Sequence, residues 1–296
     1  MSNSVPPDVA SFYDPATSTL SHLVTAPGQV EAVIIDPVLD FDPKSGAVGV
    51  QSAYRILDLV TARSLRVTWI LETHAHADHL TAALWLKRQL GGGPRVAIGR
   101  GIVSVQQTFR DLLRLGADFP VDGRQFDHLF DDGERFDVGS LSFRVMATPG
   151  HTKDSVTYLV GDAAFIGDTL FTPDFGTARC DFPGGDARAL YASIRQLLAL
   201  AGNTRLFLCH DYPKEGRRPI CETTPLAQLV ANIHVREGVS EAEFVALRTA
   251  RDATLAKPVL LWPSLQVNIR AGALPEPDAS GARFLKIPLT GSVDWA

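Results

Sequence analysis

Apolar positions along this chain change period several times, and each change marks an element. SHLVT and VEAVIID, within Leu20 to Asp36, are apolar and β-branched, with a turn at Ala26-Pro27-Gly28, and predict two strands. Tyr54, Leu57 and Val60 recur at helical spacing, predicting a helix over 51–63. VTWIL (67–71) reads as a buried strand, followed by Leu80, Leu84 and Trp85 at helical spacing. The GGGP at 91–94 reads as a loop between helix and strand.

The middle of the chain returns to period two. ERFDVGSLSFRVMATPGH predicts a hairpin turning at Gly139-Ser140, and SVTYLV with AAFIG a second pair around Gly161-Asp162. Asp186 is a candidate cap for a helix with a Leu190, Ile194, Leu197 and Leu198 stripe. TRLFLCH predicts another strand. Further on, Thr224-Pro225 opens a helix whose expected buried face is Leu226, Leu229, Val230 and Ile233. Ser240 with Glu243 forms a capping-box pattern, starting a helix through Leu247 toward Leu255. Beyond Pro258 the chain reads as extended, with PSLQVNIRAG and FLKIPL. Strands and helices alternating in two halves predict sheets covered by helices, an α/β or α+β layered class.

Composition narrows the function. With 296 residues, 45% hydrophobic and 21% charged, the chain can bury a sizeable core and is not globally disordered. No apolar run reaches the roughly 18 residues needed to span a bilayer, so no membrane partner is expected. A net charge of −5 disfavours a nucleic-acid partner. MSNSVPPDVASFYDP lacks a basic cluster followed by an apolar block, so a cytoplasmic location is expected. Cys180, Cys209 and Cys221 have no framework spacing and are expected to be reduced thiols. Strand alternation would turn Cys209 away from His210, into the core.

The chemistry concentrates in THAHADH, residues 73–79. A chain leaving a strand can turn His74 and His76 to one side, with Asp78 and His79 following at the start of a helix. Neutral imidazole and carboxylate donors of this kind suit Zn, Fe or Mn. His151 closes TPGH, Asp168 sits in IGDTLF and His210 closes FLCH, each where a strand hands over to a loop. An isolated histidine in such a place is usually a core residue. A buried set of this size without a metal would carry many unpaired polar groups.

HxHxDH, TPGH, GDTLF and a strand-end His, in that order over roughly 20–215, resemble the metallo-β-lactamase superfamily. The resemblance implies an αββα sandwich with a metal site at one edge between the sheets. Residues 1–296 would form one domain of that kind, with 222–296 as a carboxy-terminal extension packed on it. In the superfamily's hydrolases, His74, His76 and His151 would form one metal site, Asp78, His79 and His210 a second, and Asp168 a bridge. TPDFGTARCDFPGGDARALYASI, CHDY (209–212) and the tail segments NIHVREGVSEAEFV and TLAKPVLLWPSLQVNIRAG resemble the persulfide dioxygenases of the ethylmalonic encephalopathy protein type.

That branch implies oxidation of glutathione persulfide by O2 and water to sulfite and glutathione. It implies one Fe(II) per subunit, on His74, His151 and Asp168. His76, Asp78, His79 and His210 would then orient ligands and hold water. The alternative is a glyoxalase II-type thioesterase with two Zn, Fe or Mn ions on all seven positions. Tyr212, Asp78 and His79 are candidate catalytic groups. Arg179, Asp181, Tyr212, Asn268 and Arg270 are candidate substrate contacts, because Arg suits the two carboxylates of glutathione. Proteins of this family often pair, so a homodimer is also expected.

Overall fold

The structure is a computed structural model and describes residues 5–289. The ends of the 1–296 span, including the first four residues of the amino-terminal stretch, lie outside the described residues.

The first half runs β1 (Asp8–Asp14), β2 (Thr19–Thr25), β3 (Glu31–Ile35), β4 (Val38–Phe41), β5 (Val48–Gly49), α1 (Gln51–Ala62), β6 (Arg66–Leu71), β7 (Leu80–Thr81), α2 (Ala83–Gln89), β8 (Arg95–Gly99), α3 (Ile102–Leu112) and β9 (His128–Phe130). The second runs β10 (Arg135–Val138), β11 (Leu141–Ala147), β12 (Val156–Val160), β13 (Ala163–Phe165), a 3-10 turn (Gly167–Thr169), α4 (Ala187–Leu198), β14 (Arg205–Phe207), β15 (Glu222–Thr223), α5 (Pro225–Ala231), α6 (Glu241–Asp252) and α7 (Leu261–Asn268).

One sheet has the order β1-β2-β3-β6-β8-β9, the other β10 through β15 in sequence order, and β5-β4-β7 form a small third sheet. Side-chain alternation builds the layers. Val33 and Ile35 face the second sheet, meeting Phe143, Val145, Tyr158 and Phe165 between the sheets. Ile34, between them in sequence, faces outward onto Ile56, Leu86 and Phe109 of α1 to α3. On the far side, Leu190, Ile194 and Leu197 of α4 cover Ala164 and Leu206, together with Phe244 of α6. Each fully buried Val, Leu, Ile or Phe among them contributes about 1.5–3 kcal/mol. The result is the αββα sandwich and the α+β class that the motifs implied.

The hairpins turn as expected, with Val138 opposite Leu141 and Val160 opposite Ala163. Asp186 caps α4 through Ala189 N, and the Ser240–Glu243 capping box is formed. The helix starting at Thr224 is present, but its buried face is not the apolar one. Leu226, Val230 and Ile233 are exposed, while Pro225, Gln228 and Asn232 are buried. Gln228 and Asn232 face inward because they satisfy the carbonyls of Phe171 and Gly176 in the loop after β13. Beyond Pro258 the chain is not extended throughout: α7 forms, buried along most of its length. An eight-residue segment that buries Ser264, Gln266 and Asn268 beside its apolar residues carries no period that separates a buried helix from a strand.

Candidate metal centre

The strands of both sheets end at one edge, and the site is assembled there from loops. Asp36 follows β3, residues 72–79 follow β6, His151 follows β11, Asp168 follows β13 and His210 follows β14. Asp78 and His79 do not start a helix. They lead into β7, and α2 begins only at Ala83. An antiparallel bridge between Thr19 and His210 joins the two sheets beside the site.

Two glycines are required at this edge. Gly150, at φ +139, lies so close to α4 that a Cβ would come within 2.2 Å of Leu190 N. Gly167, at φ +50, would place a Cβ 2.8 Å from Thr73 Oγ1. Each precedes a candidate ligand, so each ligand's approach depends on the absent side chain.

The donor atoms converge. His74, His151 and Asp168 offer donors within 4.8 Å of one another, as do His76, Asp78, His79 and His210. Asp168 lies between the sets: its Oδ2 is 3.6 Å from His151 Nε2 and 3.9 Å from His74 Nε2, and its Oδ1 is 3.4 Å from His210 Nε2. His210 Nε2 is also 3.1 Å from Asp78 Oδ2.

Hydrogen bonds select the inward atom of each ring. Thr73 Oγ1 donates to Asp36 Oδ2 at 2.8 Å and so accepts from His74 Nδ1 at 3.1 Å, which leaves His74 Nε2 free. His76 Nε2 donates to Asp36 Oδ1 at 2.9 Å, leaving Nδ1 free. His151 Nδ1 donates to Arg179 O at 2.7 Å, and His210 Nδ1 to Ser18 O at 3.2 Å. His74 Nε2, His76 Nδ1, His79 Nε2, His210 Nε2 and Asp168 Oδ1 are buried without a hydrogen-bond partner. Orphaned atoms are rare in interiors, and five converging on one small volume fit a cation.

Electrostatics divide the histidines into two groups. Burial, reinforced by the neighbouring imidazoles, drives the His74 and His79 pKa values below the ordinary histidine range, keeping both neutral. Burial opposes a charge on His210 too, but Asp168 and Asp78 outweigh it and raise its pKa. Burial likewise works against ionised Asp78, yet His210 and His79 hold its carboxyl low.

Cys209 departs from expectation. It is a buried thiol, but its Sγ lies within 4.8 Å of donor atoms of Asp36 and His76, and likewise of Asp168 and His210. Strand β14 stops at Phe207, so alternation does not extend to residue 209.

A cleft of about 770 Å³ opens over the site, reached by Asp78, His151 and Asp168. Its walls are largely apolar, with Phe171, Phe175, Phe182 and Val259, and Arg251 is on its lining. Tyr212 stacks on Phe175, with ring centroids 4.4 Å apart, and runs nearly parallel to His210. Burial raises the Tyr212 pKa, so its hydroxyl stays a donor at neutral pH. Arg179 lines the cleft, but its guanidinium is engaged by both oxygens of Asp181 and by Ala256 O. It secures the loop after α6.

Two expected substrate contacts lie elsewhere. Asn268 is buried behind the histidine loop, bonded to its backbone. Arg270 stacks over Phe119, 4.6 Å from the ring centroid, in a separate cavity with Leu115 and Glu276. The segment is helical up to Asn268, not extended, and carries both side chains away from the cleft. Asp36 carried no motif and was missed. Its φ of +49, a conformation that Asp tolerates, turns its carboxylate onto the histidine loop.

A model of the metallo-beta-lactamase superfamily matches residues 15–210. A "probable metallo-hydrolase" of Burkholderia pseudomallei is 54% identical, over 95% of this chain and 98% of its own length. Glyoxylase B2 of Dictyostelium discoideum is 45% identical over 88% of this chain and 89% of its own. The mitochondrial persulfide dioxygenase ETHE1 of Bos taurus is 30% identical over 88% and 87%. The chain spans 65% of the length of the beta-lactamase hydrolase-like proteins it matches in Xylella fastidiosa and Agrobacterium fabrum. Among solved structures, ETHE1 from Myxococcus xanthus aligns with a TM-score of 0.70 at 29% identity, covering 90% of this chain and 100% of that one.

Proposed function

This chain belongs to the metallo-β-lactamase superfamily, and on that premise we propose that it is an iron-dependent persulfide dioxygenase. The reaction is glutathione persulfide plus O2 plus water, giving glutathione, sulfite and two protons. The observation that carries the reading is the convergence of His74, His151 and Asp168 as one two-histidine, one-carboxylate set, with His151 and Asp168 facing the cleft. That donor set, open on one side, suits ferrous iron. The likeness to ETHE1, which extends past the superfamily model into the carboxy-terminal segment, supports it further.

Iron held there would supply adjacent positions for sulfur and oxygen and the electrons that O2 activation needs. The chain's own groups do the rest. Arg179 O and Thr73 Oγ1 hold the rings of His151 and His74 so that their Nε2 atoms face inward. Phe171, Phe175 and Phe182 exclude water from the reacting sulfur. Tyr212, neutral at pH 7, offers a hydroxyl donor beside His210. Arg251 supplies a counter-charge for the carboxylates of glutathione. Glutathione, O2 and a cytoplasmic setting belong to the same reading.

A second reading has a specific observation behind it. Asp78, His79 and His210, the second site of a dinuclear thioesterase of the glyoxalase II type, converge as well, with His76 Nδ1 within reach of them and orphaned histidine nitrogens among the set. Oxygen uptake by Fe(II)-loaded protein on adding glutathione persulfide separates the two. Uptake matched by sulfite is the expected result. Hydrolysis of S-lactoylglutathione without uptake would overturn it.

A further inference from the structure

We infer that Asn268 is the positioning residue through which the carboxy-terminal segment holds the histidine loop in its metal-binding form. The superfamily model stops at residue 210, so this contact comes from outside the part of the chain that carries every candidate ligand. The Asn268 side chain is 3% exposed. Its amide nitrogen donates to His76 O and to His79 O, both at 2.8 Å. Its Oδ1 accepts from Thr81 N at 2.8 Å. One carboxamide thus grips the loop at two candidate ligands and at the first strand after them, using three of its four hydrogen-bonding positions.

The grip is set by the segment that bears it. Gln106 Nε2 donates to Ile269 O at 2.9 Å, tying the end of α7 to α3. Gly272, at φ +89, lets the chain approach so closely that a Cβ would sit 3.1 Å from Thr81 O. Gln266 is bonded through both its amide atoms to the backbone of Lys286. Asn268 therefore arrives from a fixed backbone. From the other side, His76 Nε2 is held by Asp36, so the residue is fixed at both ring and carbonyl. No other side chain among the described residues bonds the carbonyls of His76 or His79.

Asn268 touches neither the cleft nor a donor atom. Its effect passes through the loop and is the same for one iron or two metals, so this inference stands apart from the proposed reaction.

The test uses the full chain with Asn268→Ala and Asn268→Ser. Zn(II) affinity is measured by competition with a chromophoric chelator, coordination by the visible spectrum of the Co(II) form, and folding by melting of the metal-free protein. For Asn268→Ala the Zn(II) dissociation constant should rise about 10–100-fold, with an altered Co(II) spectrum and a melt that stays cooperative. Asn268→Ser, which keeps one donor, should show a smaller rise. A lower melting temperature with wild-type Zn(II) affinity and an unchanged Co(II) spectrum would overturn the inference. If Asn268→Ala does not fold, the Ser variant decides by the same two readouts.

Discussion

Replacing Asp36 by Ala tests whether a buried carboxylate, absent from every motif, organises the metal centre. Asp36 is 1% exposed and accepts from Thr73 N at 2.7 Å, from Thr73 Oγ1 at 2.8 Å and from His76 Nε2 at 2.9 Å. Asp36→Ala strands at least two buried donors, Thr73 N–H and His76 Nε2–H. Each orphan costs about 1–3 kcal/mol, so the loss should be about 2–6 kcal/mol. At roughly 2 °C per kcal/mol for a chain of this size, the metal-free protein should melt about 4–12 °C lower. The His76 ring also loses its orienting partner, and the Thr73 hydroxyl that holds His74 loses its own acceptor, so metal affinity should fall about 10–100-fold in chelator competition. Thr73→Val shares the network, and a double-mutant cycle should give a coupling of about 1 kcal/mol or more. The gap between wild type and Asp36→Ala should narrow in acid. His76 holds the Asp36 carboxyl low against the opposing pull of burial. A carboxylate depressed in the fold stabilises above its unfolded pKa, and that contribution is lost as pH falls through the folded value. Unchanged metal affinity, or additivity within about 0.3 kcal/mol, would refute this reasoning.

Two other outcomes follow from the same geometry. His22 packs against the stacked rings of Phe165 and Phe207, its ring nitrogens bonded to Ser11 Oγ and Leu208 O, and burial pushes its pKa from 6.5 to about 4. The unfolded chain takes this proton first, so the stability is present above pH 6.5 and is lost between 6.5 and 4, by about 3 kcal/mol in all. Melting the metal-free protein across that range should show the loss, and His22→Gln should flatten it; an unchanged slope counts against the assignment. Under the one-iron proposal, His74→Ala should abolish iron retention while His210→Ala keeps about one iron per chain, measured by metal analysis after purification. Loss of all metal from His210→Ala would favour a dinuclear centre.

Much of this molecule was legible along the chain because its signals are local. The hairpin turns, the Asp186 cap and the Ser240–Glu243 capping box each involve residues within a few positions of one another. THAHADH, TPGH, GDTLF and the strand-end His210 were readable too, since a polar donor directly after an apolar run falls at a sheet edge. Their convergence on one edge needed the resemblance to a family, because spacing alone does not say which strand ends are neighbours.

Other features required the folded chain. Asp36 lies 37 residues before Thr73 and 40 before His76, so nothing nearby announces that it fixes two rings. Asn268, 192 residues after His76, lies outside the cleft, with its amide bonded to the histidine loop. Arg270 lies in another cavity. Helix α5 and its cap bury Gln228 and Asn232 while only Leu229 of the apolar stripe is half-buried, because loop carbonyls packed against the helix demand partners. Hydrophobic period reports how much of a residue prefers to leave water, and that is a property of the residue and its immediate neighbours. Which polar atom satisfies which is decided only when distant segments are brought together, since a buried donor or acceptor takes whatever partner the packing presents.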